Sequence, residues 1–231
     1  MKKISIVCVV FLSCISVHAQ FNGFNMKYEV LDPSTAGKIF HNPLKETVHP
    51  QGDPYVNVHF QWAKIERVNQ KALMRFNAYA EEFEFISPKG DTLVLDKLAD
   101  FSPIEFTDTQ SKYVLNTYTL HNGKNSTGYL KELFVEGQFT LYSKDNVTYY
   151  EGKEAKTTLE TARPAKYAKA KESYFFKKEK VGVFEFPTHK KQLINLFPSQ
   201  KEALEAYFKS ESIDFDFPAD RIKIIHFLNS L

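Results

Sequence analysis

The hydrophobic pattern of this chain changes along its length from a two-residue period to a helical one. Between residues 55 and 151, apolar and polar residues alternate in short runs that are separated by turn-forming residues. This is typical of β-strands that bury one face. After Pro187 the apolar positions recur every three to four residues, as in amphipathic helices. Strands followed by a run of helices predict an α+β fold rather than a doubly wound sheet.

The alternating region predicts a series of antiparallel strands joined by short turns. The clearest turn signals are residues 69–70, 87–91 and 122–123. The predicted strands are residues 26–30, 55–62, 72–86, 92–95, 104–107, 113–120, 129–136, 138–142 and 147–151, then a hairpin of 174–177 with 181–186. In the strand at 55–62, the even-numbered residues from 56 to 62 are apolar and are predicted to share one face. The lysine-rich residues 155–171 are predicted to be a weakly structured surface connection.

The C-terminal region predicts two or three short helices. Thr188 is placed to cap a helix that continues through Phe197. Ser199 and Glu202 have the spacing of a capping box for a second helix, and Pro218 suits the first turn of a last one. The apolar stripes are Ala203, Leu204, Tyr207 and Phe208, then Ile222, Ile225, Leu228 and Leu231. The predicted fold is therefore a mostly antiparallel, bulged β-sheet, for which a half-barrel-like shape is one form, followed by short C-terminal helices.

The first 19 residues have the pattern of a secretory signal peptide. Lys2 and Lys3 precede an apolar run over residues 4–12, and residues 17–19 offer a cleavage site. The run is too short to span a bilayer, so we expect an exported protein, periplasmic or secreted, with no transmembrane helix in the mature chain. In an alternative interpretation, a lipoprotein signal leaves Cys14 lipidated and the protein anchored.

The predicted organisation is a signal peptide (1–19), an extended lead-in (20–53), an antiparallel β region (54–187) and C-terminal helices (188–231) packed on the same domain. Removal of 19 of the 231 residues leaves 212, enough for one domain to bury a sizeable core. Both cysteines, Cys8 and Cys14, lie in the signal peptide. A chain cleaved after residue 19 would therefore contain no disulfide, cysteine nucleophile or zinc–thiolate site.

Charge argues against a nucleic-acid partner. Without Lys2 and Lys3, the 30 basic residues fall to 28, which equals the number of acidic residues. Binding to phosphates depends on an excess of local positive charge. The lysines between residues 153 and 191 alternate with aromatic residues, a pattern that also occurs in sites for nucleic acids and anionic lipids. A solvated connection and a hairpin turn explain the same residues more simply.

The stretch RFNAYAEEFEF, residues 75–85, holds the candidate site residues. Apolar residues up to Ala80 have even numbers, whereas Phe83 and Phe85 have odd ones, which predicts a β-bulge near residues 80–81. Beyond the bulge, Glu82 and Glu84 would share the solvent face of a strand. Arg75 or Lys64 could then form an ordinary cross-strand ion pair.

A functional interpretation of the same stretch stays open. Side chains two residues apart on one strand face lie about 7 Å apart, a separation that two carboxylates can use for a cation or for acid–base chemistry. The candidate ligand or partner surface consists of Arg75, Asn77, Tyr79, Glu81, Glu82 and Glu84.

No motif in the sequence nominates a catalytic residue, a metal site or a cofactor. His41, His49 and His59 could converge with Asp53, but their spacing is not that of a metal-binding motif. The sequence contains no HExxH, nucleophile elbow, P-loop or dinucleotide fingerprint.

Residues 75–79 and 81–85 resemble a segment of a group of uncharacterised exported proteins from Gram-negative bacteria. The resemblance extends over residues 52–57, over residues 133–137 and over the C-terminal helices from Lys190. It implies an exported, β-rich protein that forms one unit, and it supplies no activity, cofactor or catalytic residue.

These observations lead us to expect a non-enzymatic exported protein of the cell envelope that binds a partner protein or an apolar or envelope-derived ligand. One alternative is a hydrolase-like enzyme that uses Glu81, Glu82 or Glu84. Another is a periplasmic lipid carrier, which would need a cavity behind its many phenylalanines. The sequence indicates no particular oligomeric state.

Overall fold

The computed structural model describes residues 28–33, 40–43, 50–155 and 161–231. The predicted signal peptide, Cys14 and His49 lie outside the described residues, as does the beginning of the first predicted strand. None of the helices in the described ranges has the length and the apolar content to cross a membrane.

The described residues form twelve strands and three α-helices, with three short 3₁₀ turns before β4, β7 and α2. The first six strands are β1 (Glu29–Val30), β2 (Phe40–His41), β3 (Gln61–Ile65), β4 (Gln70–Asn77), β5 (Glu82–Ile86) and β6 (Thr92–Leu95). The others are β7 (Ile104–Phe106), β8 (Lys112–Thr119), β9 (Asn125–Glu136), β10 (Phe139–Tyr150), β11 (Lys166–Lys178) and β12 (Gly182–Glu185). The helices are α1 (Lys190–Leu196), α2 (Lys201–Ser210) and α3 (Pro218–Ser230). The predicted α+β class is confirmed.

All twelve described strands belong to one sheet, whose end curls back on itself. The order is β12-β11-β10-β9-β8-β7-β3-β4-β5-β6-β2, with β1 beside β4, and β12 also pairs with β8. Strands β8 to β12 therefore form a closed ring. Antiparallel neighbours alternate in direction, and an odd number of strands cannot alternate all the way around a ring. A ring of five strands therefore needs a parallel pair. That pair is β8 and β12, in which Val183 lies opposite Tyr118 and Phe184 opposite Thr119.

Large side chains fill the ring. Its buried residues are Tyr118, Leu130, Tyr142, Phe175 and Val183. The ring centroids of Tyr118 and Phe175 are 4.5 Å apart. A closed sheet of so few strands has an interior that side chains fill. The curved, bulged sheet that the sequence predicts is thus present, and its curvature extends to full closure of five strands.

Two further apolar clusters cover the outside of the sheet. Strands β3 to β9 line one, in which Phe76, Phe83 and Tyr129 meet within 6.2 Å between ring centroids. The three helices enclose the other against β10 and β11. Arg221 helps to anchor α3, because its buried guanidinium lies 3.6 Å from the ring centroid of Tyr174.

The first strand of the predicted β region begins later than expected. Residues 56–59 are bends, and β3 starts at Gln61. Its buried residues are Ala63 and Ile65, whereas Trp62 is 42% exposed. The prediction of a strand over 55–62 with its even-numbered residues on one face is therefore wrong, although Val56 packs against the core. The segment before β3 does not form a continuous ladder. It is held by backbone hydrogen bonds from Val56 to Phe76 and from Ala78 to Pro54, and by side-chain contacts described below.

The predicted strand at 72–86 is a hairpin, not a bulged strand. β4 and β5 pair with Met74 opposite Phe85 and Phe76 opposite Phe83, and residues 78–81 form the turn. Each of these pairs places an even-numbered residue of β4 opposite an odd-numbered residue of β5. The buried residues therefore change from even to odd numbers across the hairpin, as they would across a bulge. The turn contains no Gly or Pro. Asn77 stabilises it by accepting a 3.0 Å hydrogen bond from the amide of Ala80, and Glu81 adopts a positive φ of 58°.

Two predicted boundaries in the ring were wrong. The strands predicted at 138–142 and 147–151 are one strand, β10, and β11 begins at Lys166 inside the predicted surface connection. The pairing register of β10 with β11 shifts at the step from Lys144 to Asn146. This irregularity interrupts the alternation that sequence patterns rely on.

Two predicted helix caps are also corrected. His189, rather than Thr188, caps α1, and its Nδ1 accepts a 3.4 Å hydrogen bond from the amide of Gln192. The capping box does not form, because Ser199 lies in a 3₁₀ turn that starts at Pro198 and donates to the side chain of Gln200. At the C-terminus, Leu231 is 53% exposed and does not join the buried stripe of α3.

Phe175→Ala tests the ring. Phe175 is 1% exposed, and its removal leaves a cavity against Tyr118. We expect the free energy of unfolding to fall by about 3–5 kcal/mol in a denaturant titration. Val135→Ala is the control, because Val135 is 63% exposed and should change stability by about 0.5 kcal/mol or less. Equal small losses in both variants would contradict a filled ring.

Candidate functional site

Arg75 and Glu84 form a buried ion pair across the β4–β5 hairpin. Arg75 donates from Nε and from Nη2 to Glu84 Oε2, at 2.8 and 2.6 Å. Glu84 Oε1 accepts from the Tyr55 hydroxyl at 3.3 Å and from Asn77 Nδ2 at 3.5 Å. Glu84 is only 4% exposed, so the prediction that it faces solvent is wrong. The predicted cross-strand ion pair of Arg75 is confirmed.

Arg75 also binds the segment that covers Glu84. Its guanidinium lies 3.7 Å from the ring centroid of Tyr55 and 4.5 Å from that of Phe60. It donates to the Tyr55 hydroxyl at 2.7 Å and to the carbonyl of Val58 at 3.3 Å. A planar cation with five donors can stack and hydrogen-bond at once, which a lysine cannot do. Arg75 therefore fastens residues 54–60 to the sheet.

Glu81 belongs to a second ionic cluster, at the end of the ring where β9 and β10 separate. Lys144 Nζ lies 2.6 Å from Glu81 Oε1 and 3.2 Å from the Tyr118 hydroxyl. Burial alone would lower the pKa of Lys144, but the hydrogen bond and charge of Glu81, with the bond to Tyr118, raise it. A lysine held in its protonated form is a poor nucleophile. Gly128 leaves the space for Glu81, since a Cβ there would lie 2.8 Å from Glu81 Oε2.

The three glutamates of the stretch contact three different basic side chains. Glu82 lies 3.9 Å from His41 Nε2, and the other ring nitrogen of His41 lies 3.1 Å from Asp96. Glu81 and Glu84 pair with Lys144 and Arg75 instead. A pair of carboxylates that works on one bond has to face one pocket. This arrangement gives the hydrolase hypothesis no geometric support.

His49, one of the three histidines that could converge with Asp53, lies outside the described residues, and the other two make separate contacts. His41 contacts Asp96 and Glu82, and the amide of His59 donates to the side chain of Asn57 at 3.1 Å. Within residues 28–33, 40–43, 50–155 and 161–231, no group of three or more His, Cys, Asp or Glu side chains is arranged to hold a metal ion.

Tyr79 is the most exposed of the candidate residues and belongs to a surface cluster. It is 49% exposed, and its ring centroid lies 5.2 Å from that of Tyr167 and 6.1 Å from that of Tyr149. Exposed tyrosines of this kind are enriched at protein interfaces. The hairpin turn thus brings Tyr79 to the long strands β10 and β11, far from it in sequence.

A cleft of about 220 Å³ opens beside Arg75. Its floor is apolar and consists of the buried side chains of Phe76, Phe106 and Tyr113, and Val56 and Asn57 line one wall. Its rim is polar and includes Gln61, Thr109, Ser111 and Lys131. We call this feature the Arg75 cleft. A concave apolar surface with a few converging polar groups is the usual form of a binding site.

A half-buried acid, Asp145, lies behind the floor of the Arg75 cleft. The Tyr113 hydroxyl donates to Asp145 Oδ2 at 3.3 Å. Burial and the negative charge of Glu172 raise the pKa of Asp145, although Lys131 opposes the shift. Burial also raises the pKa of Tyr113. Sequence reasoning missed this group because its members lie on β8, β10 and β11, which only the ring brings together.

Comparison with protein-family models, with curated proteins and with solved structures finds no match for this chain. The functional argument therefore rests on the geometry of the described residues.

Removal of Arg75 tests the ion pair. Arg75→Met leaves Glu84 buried without its cation, which typically costs about 3–5 kcal/mol of unfolding free energy. The double variant Arg75→Met/Glu84→Met should recover part of this loss, because it buries no lone charge. Chemical denaturation of both variants, with Lys89→Met at an exposed turn as control, measures the difference. A loss below about 0.5 kcal/mol in Arg75→Met would refute the role of the pair.

The raised pKa of Asp145 predicts that the free energy of unfolding depends on pH. The pKa of Asp145 is higher in the folded protein than its ordinary value of 3.8. Asp145 therefore contributes its full stability at pH values below 3.8, and this contribution is lost as the pH rises through the folded pKa. We expect Asp145→Asn to be more stable than the parent at pH 7 and equal to it below pH 3.8. Thermal unfolding at both pH values measures the difference, and the low-pH pair is the internal control. A difference that is independent of pH would contradict the assignment.

Proposed function

We propose that this chain is a non-enzymatic, exported binding protein of the cell envelope and that its ligand is a partner protein. The observation that carries the proposal is the Arg75 cleft. Its volume of about 220 Å³ lies below the range of about 300–1,000 Å³ that is typical of small-molecule sites. A cleft of this size suits a single anchoring side chain, and a few such anchors provide most of the binding energy of protein interfaces.

The surroundings of the cleft support a protein ligand. An apolar floor inside a polar rim is the arrangement of a protein interface. Val58 and Trp62 directly follow the lining residues Asn57 and Gln61 in the chain, and they are 43% and 42% exposed. Large apolar side chains therefore lie next to the cleft, where a partner could cover them.

Two features favour binding over the alternative functions. The three glutamates contact separate basic side chains, and the pKa of Lys144 is raised, which argues against a catalytic pair among these groups. Large buried side chains occupy the ring, which is where a lipid carrier of this shape would hold an acyl chain. Export is proposed from the pattern of the first 19 residues, which is that of a signal peptide.

Site-specific crosslinking in the envelope of the host tests the proposal. A photo-crosslinking amino acid at Thr109, on the exposed rim, should give a discrete protein adduct. Ser111→Trp fills the cleft and should abolish that adduct. The same crosslinker at Lys124, in an exposed turn that does not line the cleft, should not give it.

The other outcomes would overturn the proposal. An adduct that persists in Ser111→Trp would mean that the cleft does not bind the partner. An adduct of lipid or small-molecule mass would replace the partner protein by the corresponding ligand. The absence of any adduct specific to Thr109 would refute binding at this cleft.

A further inference from the structure

Helices α1 and α2 form a second cleft, on a surface that the proposed function does not use. Its volume is about 380 Å³. Ile194 and Phe208 provide an apolar, half-buried floor. The rim carries four lysines and one glutamate: Lys190, Lys191, Lys201, Lys209 and Glu205. We call this feature the lysine cleft.

The positive charge of the lysine cleft is not neutralised by the fold. Glu205 is close only to Lys201, at 3.9 Å, in an exposed pair. Among the residues that the structure describes, no carboxylate lies within 4 Å of Lys190, Lys191 or Lys209. The mature chain is predicted to carry equal numbers of positive and negative groups, so this excess is local.

Two of the four lysines, Lys190 and Lys191, do not stabilise the helix that carries them, whereas Lys209 in the last turn of α2 suits the helix dipole. Lys190 and Lys191 lie in the first turn of α1, where the helix dipole disfavours positive charge. The helix is held by the buried side chain of Leu193, and Phe197 at its end is buried in the same apolar cluster. A charge pattern that opposes local stability without a compensating contact is a mark of a functional surface.

We propose that the lysine cleft binds an acidic segment of a partner protein. The carboxylates of the segment would meet the lysines, and an apolar side chain between them would contact Ile194 and Phe208. The ten residues of α2 extend about 15 Å, which matches four or five residues of an extended peptide. A concave apolar floor favours such a segment over a flat anionic membrane, which needs only a basic surface.

This inference is independent of the Arg75 cleft, because the two clefts share no lining residue. Occupation of one does not require occupation of the other. Electrostatic attraction would also steer the acidic segment to the lysine cleft and accelerate association at low salt.

The test is a selection of randomised seven-residue peptides displayed on phage against the parent protein. We expect enriched peptides to carry Asp or Glu on both sides of an apolar residue. Fluorescence anisotropy of the best labelled peptide should show at least about tenfold weaker binding to Lys190→Glu/Lys209→Glu, because the charge reversal repels the segment. Higher salt should weaken binding to the parent protein.

Matched controls make the result specific. Lys97→Glu/Lys124→Glu makes the same change in net charge at exposed lysines outside the cleft, and it should bind the peptide as the parent does. Ser111→Trp should also bind normally, since it blocks only the Arg75 cleft. Circular dichroism and thermal unfolding of every variant establish that the fold is intact.

Three results would overturn the inference. The first is enrichment of no peptide, or of peptides without acidic residues. The second is equal binding to the parent and to Lys190→Glu/Lys209→Glu, or loss of binding in Ser111→Trp. The third is that vesicles of phosphatidylcholine and phosphatidylglycerol in equal parts bind the parent, lose binding on charge reversal and displace the peptide, which would assign the cleft to an anionic membrane.

Discussion

The buried ion pair between Arg75 and Glu84 determines where the candidate site can form. It joins two neighbouring strands, and the same guanidinium holds Tyr55 and Phe60 from the segment that precedes β3. Without that segment, one wall of the Arg75 cleft would be missing, because Val56 and Asn57 belong to it. A buried charge that loses its partner is costly, so the pair and the wall are coupled. Arg75 thus contributes to the proposed binding site mainly by holding the segment that forms its wall.

Closure of the five-strand ring is the second constraint. An odd number of strands requires the parallel contact between β8 and β12, and the hairpin of β11 and β12 must curve far enough to reach β8. The curve also places β10 and β11 under the helices, which bury their apolar faces there. It brings Tyr113 and Asp145 together behind the Arg75 cleft. The positions of both clefts therefore follow from one closed sheet, although their chemistry differs.

Sequence patterns predicted the elements that depend on local chemistry. The turns at 69–70, 87–91 and 122–123 contain Asn, Gly, Pro or Asp, and the strand ends next to them were placed within a few residues. The turn at 78–81 has no such residue, and its stability comes from the side chain of Asn77, so the pattern suggested a bulge. The burial of Glu84 was missed for a different reason. It depends on residues 54–60, which lie over the hairpin only in the folded chain.

Local charge can be functional even where the total charge is close to zero, as in this chain of net charge +2. A balanced chain argues against nucleic acid, because phosphate binding sums over many cations. It does not argue against a compact group of lysines, since charges beyond about 8–10 Å are screened in physiological salt. Lys190 and Lys191 end the lysine-rich part of the sequence, where a solvated surface explained most of the charge. Their placement beside Phe208 of the next helix distinguishes them, because it joins uncompensated charge to an apolar floor. A surface of this kind suits contact with an acidic, amphipathic peptide segment better than exposure to solvent.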